Sequence, residues 1–425
     1  ADAAPALRGR GQSAAQGQPY GLLRRMLAAR LALADSDSAG VARERWLAGT
    51  REALGAAYAP QDTLGLRCLG QLIGLDHSAD ADVSAQAPRA LRTAALAALQ
   101  HLLAAWGGGG PLVLIADDLH WADDATLELW RELALGTVPL LLLGSARPAL
   151  LERRSGWAEA LGETHAVRTL SPLEPAAGRA LAEALLQRVH EPPSALPALL
   201  VERADGNPYY MEELVKMLVD TGVLRIDGEH WHVMPERLGR LQVPGTLAGV
   251  LQARLDALEA AERHALQQAS IIGPVFWDDA LARLAPPAPP MLPALQHKAL
   301  VVQRPASSFE GTAEETFRHH LLHQVTYEGV PRSVRREGHA RAAAWLAERA
   351  RAGEHLAATA EHYLQAGDHA QAARWLCDAM DHALARFDNV TAIAHGQRAL
   401  ELAGDGEPAL QWRAHTAIAR AAETE

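Results

Sequence analysis

The spacing of apolar residues changes along the chain and divides it into regions. From Tyr20 to Trp106 apolar residues recur at helical spacing between polar stretches, and the glycines 107–110 are expected to stop a helix. Two continuous apolar runs follow, Leu112–Ala116 and Val138–Leu143, and each has the length of a strand. Such runs are typical of parallel strands that are buried on both faces.

The stretch between the two runs predicts a helix. Asp123 and Asp124 form an acidic cap, and the helical pattern continues through Leu135. Strand, helix and strand within about 35 residues indicate a βαβ unit of a parallel sheet. Residues 1–20 predict a strand end followed by a loop, and Val167–Leu170 predicts a further short strand.

The middle of the chain predicts short helices with few strands. Residues 174–222 are helical in pattern, with a turn at Gly206-Asn207-Pro208, and Leu224–Val233 predicts a hairpin. Residues 244–335 predict short helices and one strand pair, an order that suits a winged helix. The strand pair is expected around Leu300–Val302 and Thr316–Arg318.

The C-terminal region is rich in alanine and helical in pattern from Arg336 onward. Ala366-Gly367-Asp368 recurs as Ala403-Gly404-Asp405, an offset of 403 − 366 = 37 residues. That offset is close to the period of about 34 residues of tetratricopeptide repeats. A plain helical tail is the alternative interpretation.

Composition narrows the class of protein. The net charge of −11 argues against a dedicated nucleic-acid binder. Two cysteines, Cys68 and Cys377, lie far apart in apolar surroundings, which excludes a disulfide framework and fits a reduced cytosolic compartment. No apolar run has the length needed to cross a bilayer. These features predict a cytoplasmic globular protein of several domains without a membrane span.

The acidic residues after the first apolar run carry the sharpest chemical signal. Asp117 and Asp118 follow a predicted parallel strand, and such a strand end faces the ligand crevice of an α/β sheet. A carboxylate there can hold Mg²⁺ through water, and a second can orient an attacking water. The alternative is that both residues only cap the turn that follows.

The residues around these acids extend the pattern. The segment from Asp117 to Asp123 resembles the extended Walker B signature of the STAND class of AAA+-like signalling ATPases, of the AAA-ATPase 16 type. Four further segments match that class in the same order. They are a sensor strand at Leu140–Pro148, a GNP-type lid motif at Gly206–Leu214, a winged-helix entry at Val243–Leu247 and Arg254–Leu258, and a winged-helix exit at Phe317–Leu322 and Val325–Glu328.

The resemblance implies a fold class and a set of regions. The expected fold is an incomplete α/β parallel sheet of the P-loop type, then a helical lid, a winged helix and tetratricopeptide-like helical repeats, predominantly α overall. The expected regions are residues 1–172 for nucleotide binding, 173–235 for the lid, 236–335 for the winged helix and 336–425 for the repeats.

The phosphate-binding loop of that class is missing from the sequence. Its pattern, G-x-x-x-x-G-K-[S/T], needs a lysine, but Lys216 and Lys298 have neither the glycines before them nor a hydroxyl residue after them. In the class this loop lies just upstream of the region of Gly9. We therefore expect the sequence to be an internal piece of a longer protein, with a degenerate site as the alternative.

The resemblance also assigns further site residues. Arg147 corresponds to a sensor of the γ-phosphate, with an ordinary surface arginine as the alternative. Gly206 and Pro208 belong to the lid motif, where the proline packs on adenine, although a helix-breaking turn would have the same sequence. His319 corresponds to the winged-helix histidine that contacts the diphosphate of the nucleotide, with a packed structural histidine as the alternative.

The implied function is a nucleotide-regulated switch that uses ATP or ADP with Mg²⁺. Asp117 would hold the Mg²⁺ through water, Asp118 would act beside it, and the tail would bind a protein or small effector. The expected output domain is a class III nucleotide cyclase. A LuxR-type transcriptional regulator, a Ser/Thr kinase and a tetratricopeptide scaffold with a dead nucleotide site are the alternatives.

Overall fold

A computed structural model provides the coordinates. It describes residues 5–11, 19–34, 37–59, 62–75, 77, 79–157, 159–228, 230–239, 242–305, 307–349, 355–385, 388–403 and 407–423. The chain forms two compact units. One comprises residues 1–167, 305–312 and 339–425, and the other comprises residues 168–304 and 313–338.

A parallel sheet lies in the first unit and contains three strands in the described part of the chain. The strands are β1 (Ala6–Arg10), β2 (Leu112–Asp117) and β3 (Leu140–Gly144), in the order β1-β2-β3. Ala116 of the central strand is in register with Gly9 on one side and Gly144 on the other. Both predicted strands of the βαβ unit are confirmed, as is a strand before residue 20.

Helices cover this sheet and form the rest of the first core. They are α1 (Gly21–Leu31), α2 (Ala39–Leu54), α3 (Asp62–Leu72), α4 (Ala81–Ser84), α5 (Pro88–Gly107), α6 (Asp124–Ala134) and α7 (Ala149–Arg153). Trp46 is fully buried among them, and its indole N–H donates to the carbonyl of Leu66 at 2.8 Å. As expected, α5 ends at the glycine run, because Gly108 adopts a left-handed conformation.

Two predictions at the ends of elements have different outcomes. The acidic cap is confirmed, because Oδ1 of Asp123 accepts from the backbone N–H of Thr126 at 2.8 Å, at the start of α6. The predicted strand at Val167–Leu170 is wrong, because these residues lie in no strand. Leu170 is 93% exposed, so its apolar side chain finds no core to pack against.

The second unit is mainly helical. Its elements are α8 (Pro175–Leu185), α9 (Ala195–Ala204), α10 (Pro208–Asp220), β4 (Leu224–Asp227), β5 (His230–Val233), α11 (Pro235–Leu238), α12 (Leu247–Asp256), α13 (Ala260–Ile272), β6 (Val275–Trp277), α14 (Asp278–Leu284), α15 (Leu292–His297), β7 (Val301–Gln303), β8 (Glu314–Phe317) and α16 (His320–Glu328).

The strands of this unit agree with the sequence in part. The predicted hairpin is confirmed as the antiparallel pair β4 and β5. The predicted pair β7 and β8 is confirmed as well, but β6 pairs with the other edge of β8 and was not predicted. The winged-helix assignment and the boundaries at residues 172, 235 and 335 stay predictions.

The described residues of the C-terminal region form five helices. They are α17 (Arg332–Arg349), α18 (Leu356–Ala366), α19 (His369–Ala385), α20 (Asn389–Ala403) and α21 (Pro408–Glu423). Gly367 ends α18 in a left-handed conformation, and the carboxylate of Asp368 then accepts from the backbone N–H of Gln371. The second copy of this motif includes Gly404 and Asp405, which lie outside the described residues. The predicted fold class, a small parallel sheet followed by a predominantly helical chain, is confirmed.

Candidate functional site

The predicted Walker B acids lie at the carboxyl end of the central strand. Asp117 is the last residue of β2, and Asp118 turns the chain in a left-handed conformation with φ of 53°. The turn is held by Ser145, which follows β3. The hydroxyl of Ser145 accepts from the backbone N–H of Asp118 at 3.1 Å, and its carbonyl accepts from that of Leu119 at 2.8 Å.

Two arginines of β1 pair with these acids. Nε of Arg8 donates to Oδ2 of Asp117 at 2.8 Å, and Nε of Arg10 donates to Oδ2 of Asp118 at 2.6 Å. The side chain of Arg8 is 72% exposed and that of Asp117 is 29% exposed, so water weakens the pair. Exposed pairs of this kind contribute about 0–1 kcal/mol to stability. Their main effect is therefore to balance the charge of the acids.

The sequence contained a partial signal for these arginines. Arg8 and Arg10 are two residues apart on a strand, so their side chains lie on the same face. Their partners could not be inferred, because the pairing of β1 with β2 and its register are set by the fold. Ser145 was missed for the same reason, since it lies within the predicted sensor segment without a distinguishing pattern.

Arg147 follows β3 at the same edge of the sheet as the acids. Its side chain is exposed, and its backbone N–H donates to Nδ1 of His120 at 3.4 Å. His120 is buried and belongs to the turn after Asp118. The fold therefore brings together Asp117, Asp118, Ser145 and the loop of Arg147, while the sensing role of Arg147 stays a prediction.

The lid motif lies in the second unit, where its glycine has a clear backbone role. Gly206 has a φ of 73°, and its carbonyl accepts from the backbone N–H of Leu173 at 2.7 Å. A Cβ at this position would lie 2.6 Å from the carbonyl oxygen of Leu173. This close approach explains the glycine without a ligand. Pro208 is exposed at the first position of α10, and its contact with adenine stays a prediction.

His319 lies beside the lid motif within the same unit. It caps α16, and its Nδ1 accepts from the backbone N–H of Leu321 at 3.1 Å. Its ring stacks on the ring of Tyr209, with 4.0 Å between centroids and 17° between planes. Because Nδ1 is an acceptor, the hydrogen of the neutral imidazole lies on Nε2.

A buried group of charges connects α10 with α12. Arg254 and Glu213 are each 1% exposed in their side chains and form an ion pair. The guanidinium also donates to Asp220 at 2.8 Å and to the carbonyl of Lys298 at 2.7 Å. Burial alone would lower the pKa of Arg254, but Glu213 and Asp220 outweigh it and raise that pKa. Lys216 adds a second cation, 2.7 Å from Glu213.

Comparison with known proteins gives a family match for the N-terminal part of the chain. Residues 1–143 match the family model of the AAA ATPase domain. One similar solved structure is the Signal Transduction ATPase with Numerous Domains (STAND) protein with a tetratricopeptide repeat sensor from Pyrococcus horikoshii. The identity is 10% and the TM-score 0.46, over 99% of this chain and 62% of that protein. The chain thus spans less than two thirds of its length. No curated protein gives a significant match.

The AAA ATPase match implies a nucleotide, typically with Mg²⁺, and the acids fit that group. The side chains of Asp117 and Asp118 are 29% and 32% exposed, so both carboxylates are reachable from water. Magnesium prefers oxygen ligands and usually keeps several waters beside one or two carboxylates and the phosphates of a substrate. The described residues form no cluster of three or more His, Cys, Asp and Glu side chains that could hold a metal.

We expect no DNA binding by the predicted winged helix at physiological salt. Arg335 stacks on the ring of Tyr327 at 4.8 Å, and acidic residues such as Asp256, Asp278 and Asp279 are interspersed among the basic ones. Without a basic stripe the non-specific electrostatic contribution is small. Fluorescence anisotropy with labelled duplex DNA tests this, and micromolar affinity with a steep dependence on salt would contradict it.

Proposed function

We propose that this chain is part of a nucleotide-regulated signalling switch. ATP or ADP, with Mg²⁺, would bias the lid and the predicted winged helix between two conformations and so control an attached output domain. The observation that carries the proposal is the pair of acids at the carboxyl end of a parallel strand within the segment that matches the AAA ATPase domain.

The proposed roles of the site residues follow from the motifs that they match. Asp117 would hold Mg²⁺ through water, and Asp118 would orient water beside it. Arg147 would sense the γ-phosphate, Gly206 and Pro208 would contribute the lid, and His319 would donate from Nε2 to the diphosphate. The bound magnesium supplies charge neutralisation of the phosphates.

The open edge of β3 supports a missing neighbour in the sheet. Among the described residues β3 pairs with β2 alone, and Leu141 and Leu143 are 50% and 47% exposed. Exposed apolar edge strands are uncommon in native proteins because they invite further pairing. In the resembled class the strand that carries the phosphate loop lies beside the sensor strand. We propose that such a strand completes the sheet, since the 425 residues contain no phosphate loop.

The output and the tail complete the proposal. A class III nucleotide cyclase is the first candidate for the output domain, and a LuxR-type DNA-binding domain or a Ser/Thr kinase are the others. The tail, as tetratricopeptide-like repeats, would bind a protein or small effector. A cytoplasmic location belongs to the same proposal. No helix in the described part of the chain is long and apolar enough to cross a membrane.

ATP hydrolysis by the 425-residue chain and by the full-length protein tests the role of Asp117. The 425-residue chain is expected to hydrolyse ATP no faster than its Asp117→Asn variant, because phosphate positioning and charge stabilisation are both missing. In the full-length protein Asp117→Asn should lower turnover by roughly 100-fold or more, the order seen for removing one preorganised electrostatic group. Phosphate release under steady-state conditions measures both.

A different result would contradict the proposal for the 425-residue chain and for the full-length protein. Turnover by the 425-residue chain that Asp117→Asn abolishes would contradict the need for a separate phosphate loop. Failure of the full-length protein to bind or hydrolyse ATP would contradict the switch and favour the scaffold. Asp124→Asn is the matched control, because Asp124 lies in the first turn of α6 and pairs with Arg154 on the surface. It should leave turnover unchanged.

A further inference from the structure

The ring of Tyr209 stacks on the ring of His319 from the start of α10. Tyr209 is the second residue of α10, and Asn207 caps this helix by accepting from the backbone N–H of Tyr210 at 3.1 Å. The hydroxyl of Tyr210 donates to the carbonyl of Pro244 at 2.9 Å, which fixes the same turn to the segment before α12. The Tyr209 ring therefore meets His319 from an anchored helix start.

The imidazole of His319 is constrained from two directions. Its Nδ1 accepts from the backbone N–H of Leu321, and its face lies parallel to the ring of Tyr209. The hydrogen bond sets which nitrogen carries the hydrogen, and the stack sets the plane of the ring. Both constraints favour donation from Nε2 to an anion, because the other tautomer carries its hydrogen on Nδ1 and a rotated ring turns the Nε2–H away.

We infer that Tyr209 is a positioning residue for His319: its ring holds the imidazole in the orientation in which Nδ1 caps α16 and Nε2 presents the donor hydrogen. This inference rests on the proposed function of His319 as a diphosphate ligand, which it deepens. Tyr209 itself touches the histidine and acts through it. Through Tyr209 the lid motif would therefore support His319, the residue of the predicted winged helix that would contact the nucleotide.

The ring of Tyr209 carries this role, and its hydroxyl does not. The contact is between ring faces, so phenylalanine preserves it. Burial raises the pKa of the Tyr209 hydroxyl, and the nearby Glu213 adds to this, so the group stays protonated and brings no charge to the histidine. Tyr209→Phe should therefore behave as wild type, whereas Tyr209→Leu keeps much of the bulk without an aromatic face.

Nuclear magnetic resonance of the full-length protein, labelled with ¹⁵N at histidine, tests the geometry without nucleotide. His319→Gln assigns the signals of His319. We expect ring nitrogens typical of a single Nε2–H tautomer in the wild type and in Tyr209→Phe. Tyr209→Leu and Tyr209→Ala should shift both nitrogens toward the average of two tautomers. Unchanged nitrogen shifts in both variants would overturn the inference.

Affinity for ADP provides the second measurement. Tyr209→Leu should weaken ADP binding roughly two- to ten-fold, the range expected for one aromatic pair. Tyr209→Phe keeps the aromatic ring and should bind ADP as tightly as the wild type. In a His319→Ala background Tyr209→Leu should have no further effect, because it acts through the histidine. Additive losses would overturn the inference. Absence of ADP binding by the wild type would instead contradict the proposed function, while the resonance measurement would still decide the role of Tyr209.

Discussion

Replacing Arg254 by alanine is expected to lower the free energy of unfolding by about 3–5 kcal/mol. The change removes the cation that faces Glu213 and Asp220, and Glu213 is 1% exposed in its side chain. A buried carboxylate without its partner cannot recover the solvation that it lost on folding. Urea unfolding followed by circular dichroism measures the loss, because α10 and α12 contribute to the helical signal.

Two further variants make this prediction specific to the buried pair. Arg225→Ala is the matched control, because Arg225 is exposed on β4, and surface changes of this kind usually stay within about 0.5 kcal/mol. The double variant Arg254→Ala/Glu213→Ala should lose less than the sum of the single changes, because removing both partners leaves fewer unpaired charges. A loss below about 1 kcal/mol in Arg254→Ala would contradict a stabilising role for the network.

The sequence predicted the parallel strands well because an uninterrupted apolar run is typical of a strand with neighbours on both sides. Leu112–Asp117 is the central strand between β1 and β3, so an apolar run is required there and is visible without knowledge of the fold. The cap at Asp123 was equally local, since the side chain accepts from a backbone N–H three residues later. Both of these predictions rest on neighbours in the sequence, and both were confirmed.

The features that were missed depend on residues far apart in the sequence. Arg10 meets Asp118 across 108 residues, and Arg254 meets Glu213 across 41. No local pattern identifies the acidic partners of these arginines. The error at Val167–Leu170 has the opposite cause, because a short apolar stretch predicts a strand only where a neighbouring strand is present to pair with it.

The residues of the candidate site were predicted from two separate motifs. The sequence predicted roles for Asp117 and Asp118 from one motif and for His319 from another. These roles stay predictions, and the fold shows which residues contact each of them. Ser145 supports the acids, and Tyr209 supports the histidine. Neither support could be inferred from spacing, because Tyr209 and His319 lie more than a hundred positions apart and meet only through the packing of the second unit.

Replacing His319 by alanine in the full-length protein is expected to weaken ADP retention by roughly ten- to a hundred-fold. A hydrogen bond to a charged partner contributes about 1.5–3 kcal/mol, and that free energy favours the closed conformation while ADP is bound. Because Nδ1 accepts from the backbone N–H of Leu321, the hydrogen of the neutral imidazole lies on Nε2. Basal output should rise in His319→Ala, and further in His319→Asp, whose carboxylate repels the phosphates. The dissociation rate of a fluorescent ADP analogue measures retention.

The neighbouring histidines separate this donor role from a general effect on the helix. His320→Ala removes the next side chain of α16 and should leave ADP retention unchanged. His323 has a different task, because its Nε2 lies 2.9 Å from the carbonyl of Ser270, and burial lowers its pKa to about 4. His319→Asn keeps a side-chain acceptor for the backbone N–H of Leu321, because asparagine caps helices well. Weak ADP retention in His319→Asn with an intact fold would therefore assign the loss to the missing Nε2–H. Unchanged retention in both His319→Ala and His319→Asn would leave His319 as a helix cap alone.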